Sequence, residues 1–236
     1  MGDRTVAGPP MLLAVAHGTR EPAGVATIEE LLDRVRALRP GIVVRSAYLE
    51  VARPSVEAVV SNVTGPVVVV PLLLAPGYHA TADIPGAVAH SPAADVRIGR
   101  VLGPDPLLAE ALRDRLREAG WRPLDAVVLG AAGSSDPAAA AATEAQARLL
   151  AGLLAQPVVA GYASASSPRV PAAVAEVRAA GADRVAVASY LLAAGYFHSQ
   201  LGAAGADVLT DPLGSHRSVA RLVLVRYDEA RRRTVR

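Results

Sequence analysis

The chain has 236 residues, 52% of them hydrophobic and 19% charged, so it can bury a large core in one big domain or two small ones. It contains no cysteine, which excludes disulfides, thiolate catalysis and cysteine-based metal sites; histidine, carboxylate or carbonyl groups would have to hold any metal. All 24 basic residues are arginine, and the body of the chain is slightly acidic because four of them lie in the last six positions (Arg231, Arg232, Arg233 and Arg236). We interpret this tail as a solvated end and expect no nucleic-acid partner.

No apolar run approaches the roughly 20 residues that span a bilayer, because Pro, Gly, Arg or His interrupts each one. The first ten residues, MGDRTVAGPP, lack the apolar core of a signal peptide. We therefore expect a cytoplasmic protein with no membrane partner.

Eight apolar runs, four in each half, alternate with helical patterns and predict parallel strands buried on both faces. They cover residues 11–18, 42–50, 67–74, 96–103, 126–133, 158–165, 184–193 and 207–214. Apolar spacing predicts helices over 24–38 and 105–119, ending at Pro40 and Gly120.

The second set of runs repeats the first. AHGTREP (16–22) aligns with AAGSSDP (131–137), and LLLAPGY (72–78) aligns with YLLAAGY (190–196), at offsets of 115 and 118 residues. Such self-similarity indicates a duplicated unit of about 114 residues. We predict an α/β fold of two similar lobes, each a four-stranded parallel sheet flanked by helices, with domains 1–120 and 121–236. A cleft between the lobes is the expected small-molecule site.

Two histidines, His17 and His79, each lie one or two residues past a strongly apolar stretch, in MLLAVAHG (11–18) and VVVVPLLLAPGYH (67–79). In a parallel sheet both would reach the carboxyl-end edge, where such sheets bind ligands. A neutral imidazole is a transition-metal ligand and a general base near neutral pH. The pair therefore predicts metal or proton chemistry.

The second half lacks these groups. Ala132 stands where His17 aligns and Ser164 where Glu50 aligns, while GYFH (195–198) displaces His198 by one residue from the GYH of 77–79. The fourth loop reverses the pattern, with Asp105 in the first half and His216 in the second. We expect one active site that uses mainly first-lobe chemistry.

Several motifs are missing. The chain has neither a GxxxxGK[ST] loop nor a GxGxxG turn, and it has no lysine, which excludes the usual phosphate loops. A GxSxG elbow for a serine hydrolase is also absent. We expect no nucleotide cofactor.

Four segments together resemble the sirohydrochlorin chelatase family of class II chelatases, in its long, internally duplicated form. They are LLAVAHGTREP (12–22), AYLEVARPS (47–55), VVVPLLLAPGYHATADIP (68–85) and VLGPDPLLAEAL (101–112). The combination of HG[ST]R after the first strand with the PxLLxxGxHxxxDIP motif after the third is the specific signal. Asp105 departs from the pattern, since many relatives carry histidine in that loop.

The resemblance implies an enzyme that inserts Fe²⁺ or Co²⁺ into sirohydrochlorin, for sirohaem or cobalamin, without nucleotide. His17 and His79 match the two active-site histidines and would hold the metal, and Glu50 matches an acidic motif position that we assign to catalysis. The substrate carries eight carboxylates, and we expect Arg20 and Arg53 to bind its rim. Gly18, Gly77 and Tyr78 complete the expected substrate-binding set.

Some alternatives stay open at this stage. Glu50 could instead cap a helix starting near Pro54, and Asp83 could be a turn or N-cap residue. We expect His90 to lie on the surface. A non-catalytic carrier of tetrapyrrole or metal would use the same cleft. The sequence also leaves open whether the metal is iron, cobalt or nickel, and whether the chain is a monomer or a dimer.

Overall fold

The computed structural model describes residues 8–93 and 95–232 of the chain, and within them two four-stranded parallel sheets carry the fold. The strands of the first sheet are β1 (Met11–Ala16), β2 (Val44–Tyr48), β3 (Val67–Pro71) and β4 (Val96–Ile98), in the order β2-β1-β3-β4. Those of the second are β5 (Ala126–Ala131), β6 (Val158–Tyr162), β7 (Val185–Tyr190) and β8 (Val208–Leu209), in the equivalent order β6-β5-β7-β8. All eight expected strands form, and the predicted fold class is confirmed.

The strands are shorter than the apolar runs that predicted them, because several runs continue into the loops beyond the sheet. β3 ends at Pro71, so His79 lies eight residues past the strand rather than one or two. The edge strands β4 and β8 have only three and two residues. The central strands β1 and β3 are buried along their whole length, as strands covered on both faces must be.

Eight α-helices and one π-helical turn connect the described strands. They are α1 (Pro22–Leu38), α2 (Val56–Val60), the π-helical turn (His79–Asp83), α3 (Ile84–Val88), α4 (Pro106–Glu118), α5 (Pro137–Leu154), α6 (Val170–Ala179), α7 (Tyr196–Gly202) and α8 (Arg217–Arg232). The predicted helices at 24–38 and 105–119 correspond to α1 and α4. The apolar spacing in α1 places Ile28, Leu31, Leu32 and Val35 in the core.

The helices form three layers around the two sheets. One continuous core contains side chains from α1, α4, α5 and α8 together with one face of each sheet. The opposite face of the first sheet packs with α2 and α3, and that of the second sheet packs with α6 and α7. The four long helices therefore lie between the sheets and join the two lobes.

The last helix of each half packs on the sheet of the other half. Helix α8 contacts β3 and β4, and helix α4 contacts β7. The exchange is reciprocal in its hydrogen bonds as well: Arg226 on α8 donates to the Leu102 carbonyl at 2.6 Å, and Arg115 on α4 donates to the Leu213 carbonyl at 3.2 Å. A division of the chain at 120/121 separates the strands of the two sheets but not the helices that cover them, and the two-domain division stays a prediction.

Charged groups reinforce the junction between α1 and α8. Arg39, after α1, donates to both carboxylate oxygens of Asp228 on α8 at 2.7 and 2.8 Å. Hydrogen bonding from Arg39 lowers the pKa of Asp228 below its usual value.

Within the described ranges, no helix is long and apolar enough to cross a membrane. Of the arginine-rich tail, Arg231 and Arg232 are exposed in the last turn of α8, while Arg233 and Arg236 lie outside the described residues, as do residues 1–7.

Candidate functional site

Backbone contacts between two loops bring His17 and Glu50 together. His17 follows β1 directly, and its carbonyl accepts a hydrogen bond of 2.9 Å from the amide of Glu50. Gly18 has φ = +102°, and a Cβ on it would lie 2.0 Å from the Glu50 carbonyl oxygen. Only glycine permits this approach, because it has no Cβ and tolerates positive φ. Gly18 therefore permits the backbone contact that holds the loop of Glu50 beside His17.

His79 reaches the same place because the chain after β3 turns back into a helical turn. Residues His79–Asp83 form that π-helical turn, and His79 Nδ1 lies 2.6 Å from Asp83 Oδ2. A carboxylate only accepts hydrogen bonds, so it holds the proton on Nδ1 and leaves Nε2 as the nitrogen with a free lone pair, which could bind a metal. Asp83 ends this turn and stands at the N-cap position of α3, as its alternative as a turn or N-cap residue expected, but its side chain makes no cap hydrogen bond to α3.

The capping alternative for Glu50 is wrong. Helix α2 begins at Val56, and its N-cap is Ser55, whose hydroxyl accepts from the amide of Ala58. The side chain of Glu50 is exposed and available to the histidines. His90, expected on the surface, is likewise exposed.

His17, Glu50 and His79 form the one group of potential metal-binding side chains found among the described residues, and we call it the metal-site triad. One ligand atom from each side chain lies within 4.8 Å of the others. The two imidazole rings are edge to face, with centroids 4.5 Å apart and an interplanar angle of 80°. Two imidazoles and a carboxylate suit borderline divalent metals such as Fe²⁺ and Co²⁺, and they leave coordination positions free.

Beside the triad, a cleft of about 690 Å³ opens between the lobes. The loops after β1 and β3 line one side and the loops after β5 and β7 line the other; Gly18, Gly77, Tyr78 and both triad histidines contribute. This is the location expected for a ligand in a parallel α/β sheet. No lining residue of the described chain is Arg, Asp or Glu.

Two of the expected substrate-binding residues lie elsewhere. Arg20 and Arg53 are both exposed and are not part of the cleft lining. Sequence position placed them near His17 and Glu50 but could not show which way the loops face. Their contact with a substrate rim stays a prediction, as does a substrate role for Gly18, Gly77 and Tyr78.

Tyr190, which the sequence reading did not single out, closes the floor of the cleft. Its hydroxyl donates to the Leu74 carbonyl at 2.8 Å, and a Cβ on Gly103 would lie 2.1 Å from that hydroxyl. Complete burial strongly raises the pKa of Tyr190, so it stays a neutral donor. The end of β7 in the second lobe is thereby fixed to the loop that carries His79.

The two positions that reverse the pattern in the fourth loop are structural. Asp105 is the N-cap of α4 and accepts from buried Arg226 at 2.8 Å. His216 precedes α8, where its Nδ1 accepts from the amide of Ser218 at 3.2 Å. Burial lowers the pKa of His216 below its ordinary value. Neither residue lines the cleft.

The CbiX family model matches residues 11–119 and again residues 126–230, which confirms the duplication. The chain belongs to the CbiX family. A sirohydrochlorin cobaltochelatase of Methanosarcina acetivorans is 28% identical over 123 residues, covering 46% of this chain and 95% of that protein. A sirohydrochlorin ferrochelatase of Priestia megaterium is 27% identical over 201 residues, covering 80% of this chain and 76% of that protein.

A solved structure supports the same fold for this CbiX-family chain. SirB from Bacillus subtilis, determined with Fe³⁺, superposes with a TM-score of 0.77 at 24% sequence identity. The match covers 95% of this chain and 96% of SirB. The two-lobe fold of this chain therefore also occurs in the solved structure of SirB.

Proposed function

We propose that this protein is a sirohydrochlorin chelatase, which inserts Fe²⁺ or Co²⁺ into the tetrapyrrole during sirohaem or cobalamin biosynthesis. The observation that carries the proposal is the convergence of His17, Glu50 and His79 at the edge of a cleft large enough for a small molecule. Membership of the CbiX family and two relatives named for cobalt and iron insertion support the same reaction.

The triad would hold the metal as a substrate. Three ligands are enough to strip some water from a divalent ion, while the free positions can accept nitrogens of the macrocycle as the ion is transferred. A fuller set of ligands would retain the metal instead. Because the Asp83 carboxylate holds the Nδ1 proton of His79, Nε2 is the nitrogen that would bind the metal and later accept a proton from the macrocycle.

Metal insertion also releases two protons, because the ion replaces the hydrogens of two pyrrole N–H groups. Imidazoles near neutral pH are suited to accept such protons. The rings of His17 and His79 lie on the cleft lining with centroids 4.5 Å apart, which is close enough for both to act on one macrocycle. Each histidine can take up a proton as its hold on the metal is lost.

The uncharged lining constrains how an octacarboxylate substrate binds. Carboxylates buried in such a cleft without cationic partners would be costly, so the carboxylate rim must face solvent or the exposed loops. Arg20 and Arg53 are exposed on two of those loops and are our candidates for the rim. Gly18, Gly77 and Tyr78 would contact the ring itself. The cytoplasmic location of the protein stays a prediction.

The test is anaerobic turnover of sirohydrochlorin with Fe²⁺, Co²⁺ and Ni²⁺ supplied separately, followed by absorbance. We expect multiple turnovers with iron or cobalt, and at least a hundredfold loss in His17→Ala and His79→Ala, the lower end of the 10²–10⁴ typical of a lost acid–base group. His90→Ala is the matched control, because His90 is exposed and outside the cleft. Saturation at one metal per protein would instead identify a carrier, and full activity in both triad variants would refute the assigned site.

A further inference from the structure

The loop after β7 repeats a pair of hydrogen bonds of the loop that carries His79, but with different side chains. In the first lobe the Gly77 carbonyl accepts from both the amide and the hydroxyl of Thr81; in the second, the Gly195 carbonyl accepts from both the amide and the hydroxyl of Ser199. Both pairs are related by an offset of 118 residues. At the same offset Phe197 occupies the place of His79.

All three positions of the metal-site triad have lost their ligands in the second lobe. Ala132, Ser164 and Phe197 stand in place of His17, Glu50 and His79, and buried Leu201 stands in place of Asp83. The scaffold is nevertheless intact: the Ser164 amide donates to the Ala132 carbonyl at 2.8 Å, as the Glu50 amide does to His17. The nearby His198 does not restore the site, because its Nε2 lies 3.0 Å from the Thr210 carbonyl and donates to it.

The lost metal position is occupied by exposed aromatic surface. Tyr196 is 71% exposed and Phe197 39% exposed, with ring centroids 5.6 Å apart in an edge-to-face arrangement. Both rings line the cleft, and so does Tyr78, which is 72% exposed. Adjacent exposed aromatic rings in a concave site are typical of a surface that a ligand covers.

The chemistry of the cleft selects a flat, largely apolar face as the occupant of this surface. Apolar side chains of the loops after β3 and β7 line the cleft beside the rings, and no charged arginine or carboxylate does so within the described chain. Such walls bind the face of a conjugated ring and leave an anionic rim outside. The metal-site triad lies at the edge of the same cleft, where a ring held against the second lobe would meet the metal.

We infer that Tyr196 and Phe197 form the substrate wall of the second lobe, against which the face of the tetrapyrrole lies while the first lobe presents the metal. This inference rests on the proposed function, and it assigns metal binding to the first lobe and macrocycle binding to the second. The duplicated metal position has become a macrocycle-binding position. Tyr196 and Phe197 are then determinants of tetrapyrrole affinity and not of metal affinity.

Phe197→Ala and Tyr196→Ala test the inference, with two readouts. We expect the KM for sirohydrochlorin to rise about tenfold in each, as for loss of a stacked aromatic contact. The affinity for Co²⁺ without tetrapyrrole, measured by calorimetry, should stay within twofold of the wild type. Phe197→Tyr keeps a flat ring and should retain a KM near the wild-type value, whereas Phe197→Leu keeps apolar volume without the ring and should not.

Leu149→Ala is the control, since Leu149 is a partly exposed apolar residue of α5 outside the cleft lining. An unchanged KM in both alanine variants, with active wild type, would overturn the wall assignment and leave the chelatase proposal intact. Loss of Co²⁺ affinity in Phe197→Ala would also overturn it, because the residue would then act through the metal site. Failure of the wild type to turn over sirohydrochlorin would contradict the proposed function itself.

Discussion

Removing the Asp83 carboxylate, which holds His79, should weaken metal binding although His17, Glu50 and His79 all remain in place. Asp83→Ala deletes the acceptor that lies 2.6 Å from His79 Nδ1 and frees the imidazole to rotate or to carry its proton on Nε2. Loss of such a partner costs about 10- to 100-fold in metal affinity, or roughly 1.4–2.8 kcal/mol. The two side chains are 34% and 36% exposed, so water can replace part of the contact, and we expect a loss near the tenfold end.

The assay is calorimetric titration of the protein with Co²⁺ in the absence of tetrapyrrole. Asp33→Ala is the matched control, because Asp33 makes an equally short contact of 2.6 Å to Arg36 on the exposed face of α1. It should leave Co²⁺ affinity unchanged. Asp83 makes no capping hydrogen bond, so the free energy of unfolding of Asp83→Ala should lie within about 0.5 kcal/mol of the wild-type value. Wild-type Co²⁺ affinity in a folded Asp83→Ala protein would refute the positioning role.

Three further predictions concern the second lobe and the junction. His198→Ala should lose several-fold less chelatase activity than His17→Ala, because its imidazole bonds a backbone carbonyl; equal losses measured in the turnover assay would contradict a one-sided site. Arg226→Met removes the buried guanidinium that pairs with the partly exposed Asp105 carboxylate, and it should lower the free energy of unfolding in urea by about 3 kcal/mol, the lower end for breaking a buried ion pair; exposed Arg100→Met should lower it by less than about 1 kcal/mol. The ion pair with Arg39 lowers the pKa of Asp228, so the stabilisation from this pair is complete above about pH 5 and is lost as the pH falls further. The difference in free energy of unfolding between Asp228→Asn and the wild type should therefore shrink below that pH, and a constant difference would exclude the linkage.

The sheets and the place of His17 at the sheet edge could be predicted because their signals are local. Buried parallel strands give apolar runs, and a duplication gives matching motifs at a fixed offset. His17 follows β1 directly, so its place at the sheet edge depends only on where the strand ends. His79 reached the expected edge for a different reason, since an eight-residue excursion and a π-helical turn, neither of which has a clear sequence pattern, return it to His17.

Contacts that depend on distant segments could not be predicted. The pairing of Asp83 with His79 uses a spacing of four residues that a helical turn would have indicated, but the Asp-Ile-Pro sequence favoured an N-cap. The orientation of Arg20 and Arg53 depends on loop geometry, to which residue type gives no guide. Tyr190 gave no signal at all, because its partner carbonyl is 116 residues away in the sequence.

The exchange of α4 and α8 explains how the second lobe could differ from the first at the histidine positions while the fold kept its symmetry. Arg115 and Arg226 occupy equivalent positions, and each donates to the loop that precedes the exchanged helix of the other half. The core between the sheets draws on both halves, so neither sheet is covered by its own half alone. Structural constraint is thus concentrated in the helices between the sheets. The loops at the strand ends carry less of it, and there histidine could give way to phenylalanine without disturbing the packing that holds the cleft open.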